Sequence, residues 1–419
     1  MSALATLVLA SLPQVHVVDD DGGGADFQSI QAAIDSAADG DTILVRSGVY
    51  GGIVIDGRAL TVTADVGAAV HLGGVHVSNT SINQPVFLQG LKAGPGAPPS
   101  VQEPTYGLAV ESCAGLVVVE DCEMTGGFFA INDPIGTRLF NAAQVFLINV
   151  ETIGGKTLFA PDGGPGLSVS QSQVSIYGGT FSGLDGTDYD GPVESFFSIP
   201  GGDGTDGIVA FSSTLDIAGA TIVGGDGGKG STEGIFAGIA VGCGDGGNGG
   251  DAISALGSTI RVRDVQLNAG TAGSKGDSSG GGSACADGVS GATTSEGVID
   301  LAGVAREFGV TPNPLREGQV ATLEFAGEAG DAVIWALSFS ATQPLAIDFG
   351  GPVLLGAAPA IFSLGTTGAD GLLTTVIPVG FMTEGLEVLT LVEQAFFVST
   401  AGQIVASTPH HKPLLDSSF

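Results

Sequence analysis

Carboxylates and glycines alternate at close spacing through the middle of this chain. Asp185, Asp188 and Asp190 fall within LDGTDYDG, Asp203 and Asp206 within GGDGTDG, and Asp226, Asp245 and Asp251 follow in similar surroundings. Calcium takes several hard oxygen ligands from flexible loops, so Asp185, Asp188, Asp190, Asp203 and Asp206 are candidate calcium ligands. The spacing matches neither an EF-hand nor the tandem nonapeptide of calcium-binding β-rolls. Asp and Gly are also what tight turns select, so turn chemistry competes with metal ligation for the same residues. A separate acidic run stands at Asp19, Asp20 and Asp21.

Tyr189, Phe196 and Phe197 fall together within residues 187–206, the first loop between copies of a repeat. Aromatic rings suit the apolar faces of sugars, which makes the three ligand-binding candidates, with packing of their own loop as the alternative duty. Arg261 and Arg263 alternate in RVRD. If Ile260 and Val262 point inward, both guanidinium groups project outward from one strand and form the densest basic spot in an acidic chain. A solvent-facing pair balanced by Asp264 is the plainer explanation. No catalytic residue emerges. Glu120 and Asp121 are adjacent and face opposite sides of a strand, Glu151 is isolated, and His410 and His411 in TPHHKP read as exposed, with no third metal ligand nearby.

The elements that must position these residues are written as a repeat. GLSVSQSQVSIYGGTFSGLDG begins at Gly166, GIVAFSSTLDIAGATIVGGDG at Gly207, AISALGSTIRVRDVQLNAGTA at Ala252 and GVIDLAG at Gly297, at intervals of 41, 45 and 45 residues. A period in this range marks a solenoid, in which each unit buries its apolar face against its neighbours. A looser copy, GLAVESCAGLVVVEDCEMTGG, starts at Gly107. Each rung reads as three short strands with alternate side chains inward; Leu215 and Ile217 in one copy match Ile260 and Val262 in the next. Between copies lie excursions at 187–206, 228–251 and 273–296. Stacked rungs align such excursions into one surface, a candidate binding face or else passive decoration that keeps the solenoid soluble. Cys243 and Cys285 occupy similar places in consecutive excursions, so stacking brings them together as a disulfide. Cys113 and Cys122 lie within one rung and either pair or remain two buried thiols. The absence of CxxC spacing argues against structural zinc.

Upstream, DFQSIQAAIDSAA places Phe27, Ile30, Ile34 and Ala37 on one helical face, with Asp26 as N-cap and Gly40 as stop. Short strands follow in quick succession, divided by Gly, Asp or Asn. The helix covers the otherwise open first rung. The segment VVDDDGGGADFQSIQAAIDSAADGDTILVRSGVYGGIVIDGRALTV resembles the opening of right-handed parallel β-helix proteins of the pectin lyase-like superfamily, where polysaccharide lyases and pectin methylesterases begin in a similar way. The resemblance implies the fold and, through it, a polysaccharide lyase or hydrolase as one candidate activity. It carries no catalytic residue onto this chain.

From about Ala305 the glycine punctuation thins. DAVIWALSFS puts Val333, Trp335, Leu337 and Phe339 on one strand face, and TLEF, GLLTTVIPV and LEVLTLVEQAFFV are further strands. Such a series fits a β-sandwich, similar to C-terminal modules of many bacterial secreted proteins, and placed here as a cap on the solenoid's far end. The expected architecture is thus all-β: an apolar segment at 1–13, a right-handed parallel β-helix with an N-terminal capping helix at 14–304, and a small β-sandwich at 305–419.

With 12 Lys and Arg against 44 Asp and Glu, the formal net charge is −32. Nucleic acid and anionic lipid are repelled, and so are polyuronates unless divalent cations bridge the two anions. No segment is long and apolar enough to span a bilayer. MSALATLVLASLP is similar to the apolar core of a secretory signal without its basic flank, or else is a first strand. Together with the cysteines it gives a secreted or cell-surface expectation. The expected function is a non-catalytic β-helix presenting stacked Gly/Asp-rich loops to a carbohydrate polymer or a neighbouring surface. The alternatives are a lyase or glycoside hydrolase acting on extracellular glycans, and a filament or adhesin subunit that self-associates. Calcium is the one cofactor these residues suggest.

Overall fold

The computed structural model describes residues 12–94, 106–130, 134–157, 163–189, 198–236, 239–278, 285–294, 297–339, 341–345, 353–356 and 358–419. Most of the apolar segment at 1–13, together with Asp190, Phe196 and Phe197, lies outside the described residues.

Three long parallel sheets form the walls of the repeat region. Sheet I has ten strands, from Val15–Val18 to Val298–Asp300; sheet II has eight, from Gly48–Tyr50 to Gln266–Asn268; sheet III has seven, from Ile53–Asp56 to Ile253–Leu256. Each turn visits sheets III, I and II in that order, as in Leu167–Ser170, Gln173–Tyr177 and Thr180–Ser182. The next turn stacks in register, Leu167 against Ile208 and Ile208 against Ile253. This is a right-handed parallel β-helix. Its interior is a continuous aliphatic ladder, including Val117, Val145, Val174, Leu215 and Ile260 from successive strands of sheet I. Burial is shared by every rung, at about 25 cal/mol per Å² of apolar surface.

Two of the three corners open on a residue in the left-handed conformation. Between sheets III and I these are Asn79, Ser112, Asn141, Gln171 and Ser212, with φ from 47° to 55°. Between sheets I and II, Asp121, Asn149 and Asp264 serve with φ of 50° to 52°. Asn and Asp tolerate this region better than other side chains, so the chain turns sharply as it leaves the strand. The third corner, from sheet II to sheet III, releases the excursions.

The capping helix runs only from Ile30 to Ser36 and buries Ile30, Ala33 and Ile34 on the first rung. Its N-cap is Ser29, whose hydroxyl accepts from the Ala32 N–H. Asp26 is not available for that role, because its carboxylate accepts the Val17 N–H at 2.9 Å and ties the approach segment to the first strand.

The excursions form a slab. Glycine recurs every third residue at Gly201, Gly204 and Gly207, at Gly224, Gly227 and Gly230, at Gly244, Gly247 and Gly250, and at Gly270, Gly273 and Gly276. Three residues per turn is the period of a polyproline II helix, which has no internal hydrogen bonds and leaves its backbone groups for neighbours. Here the neighbours are the other segments. One zigzag of N–H to C=O bonds runs from Gly202 to Thr187, Gly228 to Gly202, Gly247 to Gly228, Gly273 to Gly247 and Gly288 to Gly273, each 2.8–3.0 Å. Cys243 and Cys285 join two of these segments as a disulfide, while Cys113 and Cys122 stay unbridged and buried, so the possible second bridge is not formed. Burial raises the Cys122 thiol to about 12.

The C-terminal strands form a three-stranded and a five-stranded sheet. Phe308, Val310, Leu323 and Phe325 from the first meet Val333, Trp335, Leu391 and Phe397 from the second in one core. They do not cap the far end. They lie along the outer face of sheet I, where Phe87, Val118, Phe146 and Tyr177 pack with Leu354 and Val392, and Val15 and Leu44 pack with Val388 and Leu415. An apolar wall of that extent exposed to water would be an aggregation surface, and covering it decides the placement.

Candidate functional site

The carboxylates read as calcium ligands are spent within the slab. Asp185 Oδ1 accepts from the Asp226 N–H at 2.8 Å, Asp188 from Lys229 at 2.6 Å, Asp203 from Asn248 at 2.6 Å and Asp206 from Asp251 at 2.7 Å. The series continues with Asp226 accepting from Thr271 and Asp251 from Ala292. Each carboxylate is a hydrogen-bond rung between consecutive excursions, so these aspartates run in rows. Among the described residues, one group of three brings its oxygens within reach of a shared ion, Asp19, Asp20 and Asp21. Asp19 is engaged by Arg46 at 3.4 Å and Asp20 by the Val49 N–H at 3.0 Å.

The other sequence candidates are dispersed. Tyr189 is half-buried in the slab, its N–H donating to the Lys229 carbonyl. Arg261 and Arg263 stand on the outer side of sheet I. Arg261 forms a fork with Asp216 on the adjacent rung, Nε to Oδ1 at 2.5 Å and Nη2 to Oδ2 at 2.7 Å. That bond raises the Arg261 pKa and occupies its planar donor edge. Arg263 is half-buried, in register with Ala218 and two rungs beyond Tyr177.

The tail TPHHKP is the largest departure from the sequence reading. His410, His411 and Lys412 are buried, not exposed. His410 Nδ1 and Lys412 Nζ both lie 2.6 Å from Glu120 Oε1 on sheet I. Gln89 Nε2 donates to Glu120 Oε2 at 3.0 Å and to the His411 carbonyl. Burial alone would raise the Glu120 carboxyl, but Lys412 and His410 outweigh it and hold it well below the usual range. This cluster fastens the C-terminal sheets to the solenoid and is closed to ligand.

An open surface remains on sheet III and its corner with sheet I. Alternate residues of each strand point outward, and register aligns Glu111, Phe140, Ser170, Phe211 and Leu256 in one column. Phe140 is 38% exposed, Phe211 47% and Leu256 68%. Beside this column the left-handed corner residues line a shallow trough of about 580 Å³, bordered by Asn141, Ala143, Gln171, Gln173, Ser212 and Thr214. On the same strand as Phe140, Arg138 donates to the Tyr106 hydroxyl at 2.7 Å and lies 3.4 Å from Glu111. Its guanidinium centre sits 5.3 Å from the Tyr106 ring and 5.9 Å from the Phe140 ring, and so braces Phe140. Sequence reading missed Phe140 and Phe211 because each resembles an ordinary strand residue; the common register with Ser170 was the available signal.

Sheet II carries a different row. His71, Lys92, Glu123 and Glu151 stack in register, with Lys92 Nζ donating to Glu123 Oε2 at 2.7 Å. That hydrogen bond raises the Lys92 pKa. Glu151, isolated in sequence, therefore has a neighbouring carboxylate one rung away. Glu123 is half-buried and Glu151 exposed.

No protein-family model and no curated protein matches the chain. Among solved structures it is similar to the pectate lyase Pel9A at 13% identity and TM-score 0.37, covering 61% of this chain and 63% of that one. The enzymatically active domain of tailspike protein 2 from bacteriophage CBA120 matches at 11% identity and TM-score 0.29, covering 93% and 74%. A superoxide reductase (neelaredoxin) from Ignicoccus hospitalis matches 27% of this chain and 82% of its own, at 10% identity and TM-score 0.16. The fold rests on the strand pairing itself: the chain is a right-handed parallel β-helix with two C-terminal sheets docked along its flank.

Proposed function

We propose that the protein is a non-catalytic binding protein that holds a carbohydrate polymer along the outer face of sheet III, outside the cell that makes it. The observation that carries the reading is the exposed column in which Phe140 and Phe211 stand two rungs apart with Ser170 between them. Strand spacing puts these rings roughly 10 Å apart on a flat wall. Rings repeated along such a wall suit the apolar faces of successive sugars, and the amides and hydroxyls of the trough suit their hydroxyl groups. The Cys243–Cys285 disulfide supports an oxidising, extracellular setting.

The row on sheet II supports the second reading, a glycoside hydrolase using Glu123 and Glu151 as its close carboxylate pair. Against it, Glu123 is tied to Lys92 and Glu151 lies in open solvent, so neither sits in the apolar pocket that keeps a catalytic carboxyl protonated.

Electrophoresis through gels containing soluble glycans tests the proposal. Retardation of the protein by at least one glycan is expected, with a loss of about tenfold in affinity for a Phe140→Ala, Phe211→Ala double variant, each ring supplying roughly 0.5–1.5 kcal/mol. A wild type retarded by none, or a double variant that binds fully, removes the reading. Reducing-sugar release that disappears in Glu151→Gln establishes the hydrolase instead.

A further inference from the structure

We infer that the bound polymer is an uncharged glycan running parallel to the β-helix axis, with one two-sugar segment for every two rungs. The inference rests on the carbohydrate reading of sheet III and adds the ligand's charge class and direction.

Charge is the first argument. The strands Leu167–Ser170, Ile208–Phe211 and Ile253–Leu256 carry no ionisable side chain, and the trough is bordered by amides, hydroxyls and alanine methyl groups, with no charged residue. In a chain of net charge −32 this is a locally neutral wall. A uronate or sulfated polymer needs cations at the wall to offset the surrounding field. The nearby cation, Arg138, is already committed to Glu111 and the Tyr106 hydroxyl. Uncharged hydroxyls lose least on approaching such a surface, and neutral amides can both donate to them and accept from them.

Direction follows from the register. Asn141, Gln171 and Ser212 occupy the same corner of three successive rungs, and Phe140 and Phe211 flank the first and third. A chain lying along the axis meets a hydrogen-bonding side chain at each rung and a ring at every second one. A chain crossing the axis meets one ring at most. Rung spacing of about 4.8 Å is close to the rise of one sugar in an extended glycan, so the pattern stays in phase over several rungs.

The experiment is a gel-retardation panel of neutral glucans, xylans and mannans against pectate, alginate and hyaluronan, at about 50 and about 500 mM salt. Neutral polymers alone are expected to retard the protein, with affinity changing less than about twofold between the two salts, because no counterions are released. In a matching series of neutral oligosaccharides, chains too short to reach both rings are expected to bind about threefold more weakly, one ring's contact being lost. Phe211→Tyr keeps the ring and is expected to keep binding. Preference for a polyanion that weakens in salt and is still lost in the Phe140→Ala, Phe211→Ala variant overturns the inference while leaving the sheet III site standing. Binding that is absent, or indifferent to that variant, overturns the site as well.

Discussion

Glu120 shows how much one side chain is asked to hold. It lies on sheet I with Lys412 and His410 both against one oxygen and Gln89 against the other, all buried. Removing one member of a buried charge cluster leaves the others uncompensated, so Glu120→Gln is expected to lower stability by about 3–5 kcal/mol in chemical denaturation. The neighbouring His411 and Glu393 set the pH response. Burial lowers the His411 pKa from 6.5 to about 3, so its contribution is complete above 6.5 and lost as pH falls through that range. Burial pushes Glu393 up from 4.5 to about 7, so its contribution is complete below 4.5 and lost as pH rises toward 7. Between 4.5 and 6.5 the two slopes, each roughly 1.4 kcal/mol per pH unit, oppose one another. Denaturation curves across this window are therefore expected to tilt in opposite directions: His411→Gln loses stability with rising pH relative to wild type, and Glu393→Gln gains it. Parallel curves for both variants contradict this assignment. None of this was legible in TPHHKP, because the partner carboxylate is 290 residues away and nothing local marks a polar tail for burial.

At the scale of elements, the slab explains glycine usage that turn preference alone does not. Gly247 donates to the Gly228 carbonyl, and a Cβ added to it would collide with the Gly202 carbonyl. The residue is needed for close approach between segments, since its φ lies outside the left-handed range. Gly247→Ala is expected to cost 1–3 kcal/mol or more and to lower the melting temperature, because the obstacle is backbone that neighbouring segments fix in place. Stability equal to wild type would show that the segments are not packed as described. The alignment of the excursions followed from the repeat length, whereas their inner order did not. Single glycines at three-residue intervals look like flexible filler until the partner segments are known. The Asp side chains were ambiguous for the same reason, each bonding to an N–H 41 or 45 residues away.

The solenoid as a whole was the most legible feature, since apolar pairs such as Leu215 with Ile217 and Ile260 with Val262 recur at the stacking interval and occupy the same ladder. Docking of the C-terminal sheets along the flank was not. Phe87, Val118 and Phe146 read as further strand residues, and only their common outward direction reveals an apolar wall that must be covered. That covering leaves sheet III as an open wall with aligned rings, which is the basis of the binding account. Hydroxyl-radical footprinting with and without a saturating neutral oligosaccharide tests it most directly, because exposed rings are oxidised and covered ones are spared. Phe140, Phe211 and Leu256 are expected to be protected while Phe381, 83% exposed in the connection between the strands Leu372–Pro378 and Val388–Val398, is oxidised equally in both states. Protection confined to the glycine slab or to the C-terminal sheets, with Phe140 and Phe211 unchanged, would contradict the account.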